Sequence, residues 1–405
     1  MTNFTSVNVI RNLVDYVSNP SMPTKLTTST IPFNHPFIIG SELSYIEQAV
    51  QSGKISADGD FSRKCEAWLV EHHGGSKALL THSCTAALEM AALLCEIEPG
   101  QEVIMPSYTF VSTANAFLLR GANIRFVDIR PDTLNLDESL LDAACTPNAK
   151  VVVPVHYAGV ACEMDAITAI ARKRELYVIE DAAQAVSSTY KGKPLGSLGD
   201  FGCFSFHETK NMISGEGGAL LVRAGKDVRR AEILREKGTD RAQFFRGEID
   251  KYTWRDIGSS YGPSELIAAF LMAQLECADT INAARLATHA RYMQLLQPLQ
   301  QAGHLRLPII PEHCGHNAHM FYVLLRDEAC RSRLISYLAD RGISAVFHYI
   351  PLHTSPMGKS MGYGEGDFPV TEEISQQVLR LPCFYGLTED EQDKISSALF
   401  SFFGD

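Results

Sequence analysis

The chain has 405 residues, 45% of them hydrophobic and 20% charged, with a formal net charge of −11. This composition excludes a largely disordered chain, whose few apolar groups could not offset ordering entropy. The acidic balance argues against a surface built to coat nucleic acid or an anionic membrane. Ten scattered cysteines without a C-x-x-C pair fit reduced thiols better than a disulfide framework.

Residues 1–30 are rich in Ser, Thr and Asn and read as an N-terminal extension. Val7, Ile10, Val14 and Val17 can line one face of a short helix behind Ser6. The segment has neither the basic start nor the apolar core of a secretory leader. The longest nearly apolar run, Val151–Cys162, holds Pro154 and His156 and is too short to cross a bilayer. A cytoplasmic protein without a membrane partner is the expectation.

From about residue 75, short apolar runs alternate with helix-length amphipathic segments. The runs are Ala78–Leu80, Glu102–Met105, Ile124–Val127, Val151–Val155, Tyr177–Ile179, Cys203–Phe206 and Ala219–Val222. Their aliphatic, β-branched character predicts strands buried on both faces, as in a mostly parallel seven-stranded sheet. Thr85–Cys95 and Met164–Arg174 carry the i, i+3, i+4 spacing of the covering helices. Residues 264–300 read as long helix. Beyond them, strands at His319–Leu325 and Ile343–Tyr349 flank a helix at Cys330–Arg341. The reading is an α/β chain with a large domain over 31–275 and a smaller α+β piece over 276–405.

Open parallel sheets bind ligands at the carboxyl ends of their strands, so polar residues directly after strands are the first candidates. Four positions qualify. Ser83, Cys84 and Thr85 open a helix, where free amides and the helix dipole favour a phosphate; taken singly, such residues are ordinary caps. Asp181 ends a buried strand and needs a cationic partner, unless it merely caps the next helix. Lys210 follows a strand and precedes Gly215-Glu216-Gly217-Gly218, and desolvation there would make its amine a nucleophile. Phe110, just past another strand, can stack on a planar group. A phosphate cradle, a carboxylate for a ring nitrogen, an amine and a stacking ring together are the parts of a pyridoxal phosphate site.

The motifs around these positions resemble the sugar aminotransferases of the DegT/DnrJ/EryC1/StrS family. They are Thr85-Ala86-Ala87-Leu88, Pro106-Ser107-Tyr108-Thr109-Phe110, Glu180-Asp181-Ala182-Ala183-Gln184, Phe204-Ser205-Phe206-His207-Glu208-Thr209-Lys210-Asn211 and Gly215-Glu216-Gly217-Gly218. The resemblance runs in order over roughly residues 31–403. It implies the pyridoxal-phosphate fold type I, with 31–275 as the cofactor-binding domain. It makes Lys210 the Schiff-base lysine, Asp181 the partner of the pyridine nitrogen, and Phe110 the stacking ring. Cys84, Thr85 and Ser205 take phosphate positions, and Gln184 faces the ring hydroxyl. Many members have Gly at the Cys84 position. Many have Asn where Ser260 stands, in a loop that reaches the neighbouring subunit's phosphate. A homodimer with shared sites is implied.

Further segments resemble one branch of the family, which makes dTDP-4-amino-4,6-dideoxygalactose and serves enterobacterial common antigen synthesis. They are Phe244-Phe245-Arg246-Gly247, Lys251–Tyr261, Asn317–Tyr322 and Ala345–His353. The implied reaction moves the amino group of L-glutamate to C4 of a nucleotide-linked 4-keto-6-deoxy sugar. Lys54, Arg246, Arg255 and His348 become candidate substrate contacts, the first three as local positive charge for the diphosphate. Amination at C3, or a gluco product, is the main rival. Lys210 argues against the family's deoxygenating branch, which has histidine there. A non-enzymatic sensor would need a basic DNA-binding segment that residues 1–30 do not supply. His313, Cys314, His316 and His319 have tempting zinc spacing but no matching second pair, and no metal is expected.

Overall fold

The computed structural model describes residues 30–404; the helix expected behind Ser6 lies outside the described residues. Seven strands form the central sheet: β1 Lys77–Thr81, β2 Glu102–Pro106, β3 Asn123–Val127, β4 Ala149–Val152, β5 Tyr177–Asp181, β6 Phe201–Ser205 and β7 Gly218–Val222. Their order is β1-β7-β6-β5-β4-β2-β3. Neighbours run parallel except β7, which is antiparallel to both β1 and β6.

The principal helices are α1 Glu42–Gln51, α2 Asp60–His73, α3 Cys84–Leu94, α4 Val111–Leu118, α5 Met164–Arg174, α6 Gly225–Arg235, α7 Glu265–Glu276, α8 Ala278–Gln301, α9 Glu328–Ala339 and α10 Glu389–Gly404. Successive side chains of a strand point to opposite faces, and the core divides accordingly. Leu80, Ile104, Val152, Val178 and Leu221 pack on one side of the sheet. Leu79, Val103, Val151, Ile179 and Leu220 pack on the other. This double burial explains why the strands read as continuous apolar runs rather than alternating ones. A third cluster joins Tyr292, Leu296, Leu334 and Leu399, and Ile31 packs with it.

The sheet matches the seven expected runs, with shifts that have local causes. β4 stops at Val152, because Pro154 has no N–H for the ladder; Val155 retains one isolated bridge to Asp181. β5 runs on to Asp181, which places that carboxylate on the strand itself. The long helix breaks at Cys277, where α7 and α8 meet at 61°. Ile343–Tyr349 is not a strand. Ile343 bridges Ile31 and Val346 bridges Arg380 singly, and Tyr349 takes a left-handed φ of 43°. The small antiparallel sheet instead pairs β8 Phe321–Leu324 with β9 Val378–Leu381. Among the described residues, no single helix is long and apolar enough to cross a membrane.

Candidate active site

The carboxyl ends of β1, β5 and β6 meet around the start of α3. After β1 the chain turns through His82, and the Ser83 Oγ accepts the Ala86 N–H at 3.1 Å, capping the helix. The amides of Cys84 and Thr85 fall in the first turn, where a helix supplies no acceptor. The Thr85 hydroxyl donates to Ser112 at 2.8 Å. β7 presses against this turn. A Cβ on Gly218 would stand 2.3 Å from the Ser83 carbonyl carbon and 2.4 Å from the Cys84 nitrogen. Only glycine permits that approach.

Asp181 is buried. One carboxylate oxygen accepts from Thr113 Oγ1 at 2.7 Å and the other from the Ala183 N–H at 3.2 Å. Thr113 lies in the first turns of α4, and its hydroxyl also meets Thr109 at 2.9 Å. Burial pushes the Asp181 carboxyl above its ordinary value, against the pull of these two hydrogen bonds and the more distant Lys210. Both direct donors are neutral, so the carboxylate has room for a cation.

Lys210 sits in the loop between β6 and β7, its N–H donating to the His207 carbonyl at 2.9 Å. Part of the residue stays exposed, while the amine end is surrounded by protein. Desolvation draws the amine below the ordinary lysine value, opposed by Cys84 and Asp181. Ser205 closes β6, buried, with its Oγ 3.4 Å from the His207 nitrogen. Burial holds the Cys84 thiol well above its ordinary value, so it stays neutral.

Gln184 is anchored at both ends of its amide. Its Oε1 accepts from the Ala158 N–H at 2.7 Å, and its Nε2 donates to the Tyr349 hydroxyl at 3.0 Å. Tyr349 stacks on the His348 ring, centroids 3.6 Å apart. The His348 Nδ1 lies 2.8 Å from the Tyr157 hydroxyl, and Tyr108 donates to the His348 carbonyl at 2.8 Å. Burial, with Arg380 and Lys210 nearby, keeps His348 far below its ordinary pKa and therefore neutral. Phe110 is 56% exposed, its ring 6.4 Å from that of Tyr349.

Ser83, Cys84, Thr85, Asp181, Gln184, Ser205, Lys210 and His348 thus sit on one connected set of strand ends and loops. Phe110 borders it through the Tyr349 ring, whereas Ser260, Lys54, Arg246 and Arg255 lie outside it. Ser260 is exposed and bridges Glu236; its neighbour Tyr261 reaches the Ser83 turn by accepting the His82 N–H at 2.9 Å. Lys54 is exposed and donates to Ser56 at 2.8 Å. Arg246 and Arg255, expected as local positive charge, are each paired with carboxylates. Arg246 forks onto Glu232 at 2.9 Å and reaches Glu248 at 2.6 Å, and Arg255 pairs with Asp240 at 2.6 Å. The zinc-like spacing also disperses. His313 meets Glu163 at 2.9 Å, His319 meets Asn211 at 3.2 Å, and His316 packs on the His289 ring.

Thr113 and Tyr349 were missed by sequence reasoning. A signal for Thr113 existed: it stands three residues after Phe110, one helical turn into the segment that follows β2. Tyr349 lies in a segment read as strand, so its left-handed turn into the site was not legible.

The residues present fit pyridoxal phosphate. Asp181 is a buried carboxylate lacking a direct cationic partner, Lys210 is a desolvated amine, and the α3 N-terminus presents free amides pinned by Gly218. The model of the DegT/DnrJ/EryC1/StrS aminotransferase family matches residues 36–400. The spore coat polysaccharide biosynthesis protein SpsC of Bacillus subtilis (strain 168) is 35% identical over 378 residues, covering 91% of this chain and 96% of that protein. Spr1654 from Streptococcus pneumoniae, solved in its PMP and PLP forms, superposes with TM-scores of 0.85 and 0.84 at 26% identity, over 92% of this chain and 97% and 98% of those chains. An aminotransferase from Psychrobacter cryohalolentis gives a TM-score of 0.87 at 26% identity, over 93% of this chain and 99% of that one. The chain therefore belongs to the DegT/DnrJ/EryC1/StrS aminotransferase family and is a pyridoxal-phosphate-dependent transaminase.

Proposed function

We propose that this transaminase moves the amino group of L-glutamate to C4 of dTDP-4-dehydro-6-deoxyglucose. The product is dTDP-4-amino-4,6-dideoxygalactose, for cell-surface polysaccharide synthesis of the enterobacterial common antigen kind. The names of SpsC and of Spr1654, assigned as a sugar aminotransferase, support a carbohydrate acceptor. The observation that carries the reading is a buried Asp181 at the end of β5 with the desolvated Lys210 amine in the loop after the neighbouring β6, the two close enough to influence each other's charge.

When bound, pyridoxal phosphate supplies a carbonyl that condenses with amines and a cationic ring that draws electrons from the attached carbon. Lys210 would hold that carbonyl at rest, and its free amine would move the proton of the donor's α-carbon; a lowered pKa suits both taking and returning it. Asp181 keeps the ring nitrogen protonated, and Thr113 and Ala183 aim its oxygens. The amides of Cys84 and Thr85, with Ser83 and Ser205, would receive the phosphate. Phe110 would cover one ring face, and Gln184 would meet the ring hydroxyl.

His348, neutral and held by Tyr157, borders the acceptor side. Lys54, Arg246 and Arg255 serve the nucleotide only if a second subunit or the substrate competes for their present partners. Ser260 approaches a phosphate across a homodimer interface. The division of the chain at residue 275 stays part of this reading, supported by the separate cluster around Leu296 and Leu334. A cytoplasmic location matches the nucleotide-linked substrate.

The test is to incubate the enzyme with L-glutamate and dTDP-4-dehydro-6-deoxyglucose and identify the product. Exchange of the C4 carbonyl for an amine, axial as in galactose by NMR coupling, is the expected result. Recovery of unreacted sugar, with amination of a 3-keto sugar instead, contradicts the substrate assignment.

A further inference from the structure

His319 lies two residues before β8, buried, with its ring Nδ1 3.2 Å from the side-chain oxygen of Asn211, the neighbour of Lys210. Its backbone is fixed on both sides. The His319 N–H donates to the Asn317 Oδ1 at 3.0 Å, and its carbonyl accepts from Arg285 at 2.6 Å. Asn317 in turn donates to the carbonyls of Gln184 and Val186 at 2.9 and 3.0 Å. The ring is therefore held between the Lys210 loop and the segment that follows β5.

The position of the proton on this ring follows from the groups around Asn211. One atom of the Asn211 amide stands 2.8 Å from the Asn317 carbonyl oxygen and 3.0 Å from the Asn282 Oδ1 in α8. A backbone carbonyl only accepts, so that atom is the amide nitrogen. The atom facing His319 is then the Asn211 Oδ1, which also only accepts, and His319 must donate to it from Nδ1. Burial, with Lys210, Arg285, Arg380 and His348 facing it, holds the ring well below its ordinary pKa and therefore neutral. A neutral ring protonated on Nδ1 has a bare Nε2. Among the described residues, the ring's one hydrogen bond is the one through Nδ1. His319 also lines, with Lys210, Asn211 and Ser205, a small polar cavity of about 10 Å³. That is room for one water among several polar groups.

We infer that His319 positions the free Lys210 amine: its bare Nε2 accepts from one water, and that water accepts from the amine. The inference rests on the reading of Lys210 as the amine that holds the cofactor's carbonyl. Asn211 sets the tautomer that makes Nε2 an acceptor. An uncharged acceptor suits this place. A carboxylate there would hold the amine as ammonium, whereas a neutral nitrogen orients it and leaves its proton free to go.

The test uses the full chain freed of cofactor, mixed with pyridoxal phosphate across pH, with the appearance of the yellow band followed in time. The midpoint of the rate profile reports the ionisation of the Lys210 amine. His319→Asn keeps a donor for Asn211 and has no atom at the Nε2 position. His319→Gln carries an amide oxygen toward that position and gives up the Nδ1 contact. The expected result is a midpoint lowered by about one pH unit in His319→Asn, because the ammonium form loses its acceptor. His319→Gln should keep the wild-type midpoint and melt lower. A midpoint unmoved or raised in His319→Asn overturns the inference. So does an equal shift in both variants, or a shift confined to His319→Gln, since each leaves His319 a packing role alone. If His319→Asn does not fold, histidine ¹⁵N spectra of the wild type decide. A neutral ring protonated on Nδ1, whose Nε2 signal moves as pyridoxal phosphate takes up the amine, is expected; the absence of any such signal overturns the inference. A Lys210→Ala protein that forms the same yellow band overturns the reading of Lys210 itself, which is a different failure.

Discussion

The Thr113 hydroxyl donates to a carboxylate oxygen of Asp181 at 2.7 Å, tying the start of α4 to the end of β5. This contact crosses the sheet's carboxyl edge and sets the direction in which Asp181 faces. In the proposed reaction it is a positioning contact, since Thr113 acts only through Asp181. Thr113→Val removes the donor and leaves a buried acceptor short of a partner, at a cost of about 1–3 kcal/mol. The expected outcome is a modest loss of thermal stability with a larger loss of kcat. The ionised Asp181 should also be harder to maintain, so the low-pH limb of the kcat profile should move upward. An unchanged profile would deny Thr113 this role.

Asp181 carries a further consequence for the cofactor-free protein. Burial raises its pKa, so the folded state binds its proton more tightly than the unfolded state does. Stability is then undiminished below the ordinary aspartate value and falls as pH rises through the gap between the two values. Asp181→Asn should therefore melt as high as, or higher than, the wild type without cofactor at neutral pH. Thr113 can reverse its hydroxyl to accept from the new amide, because its contact with Thr109 works in either direction. With cofactor the order should reverse, and turnover should fall by orders of magnitude. Melting curves across pH, with and without pyridoxal phosphate, check both signs.

Gly218→Ala tests the cradle. The added methyl would meet backbone atoms of Ser83 and Cys84 within 2.4 Å, and backbone cannot swing aside as a side chain does. Either β7 loses register with Thr81 or the first turn of α3 shifts. We expect a stability loss of about 1–3 kcal/mol, typical of overpacking. Affinity for pyridoxal phosphate should drop by more than that for pyridoxal without its phosphate. Equal losses for the two would mean that Gly218 supports the fold alone.

The Lys210 amine sits below the ordinary lysine pKa because burial disfavours its charged form. The neutral amine is the nucleophile, so a lowered value enlarges the reactive fraction at neutral pH. Recombination of cofactor-free protein with pyridoxal phosphate should quicken as pH rises, and level off before a solvent-exposed lysine would. Lys210→Ala should abolish turnover while leaving the melting temperature near that of the wild type. Retained turnover in that variant would remove Lys210 from its proposed role.

The fold was largely legible because the seven strands are buried on both faces and appear as unbroken apolar runs. The failures have physical causes. Pro154 ended β4 early, and the sharp break at Cys277 falls inside an unbroken helical pattern. Ile343–Tyr349 has the composition of a strand but is held by single bridges and a left-handed residue, while the true partner, Val378–Leu381, is too short to announce itself. Within the site, residues that end strands or cap helices could be placed from spacing, as with Asp181 and Ser83. Tyr349 could not, because it arrives from a distant segment and only packing brings it in. The carboxylate partners of Arg246 and Arg255 were not legible for a similar reason: Glu232 and Asp240 lie 14 and 15 residues away in sequence.

The most direct test is the absorbance spectrum of the purified protein, reconstituted with pyridoxal phosphate, as L-glutamate is added to wild type and to Lys210→Ala. The account predicts a yellow band in the wild type that gives way to the near-ultraviolet band of pyridoxamine phosphate, and no such conversion at a catalytic rate in the variant. A wild-type band that L-glutamate leaves unchanged, or a variant that converts as fast as the wild type, would contradict it.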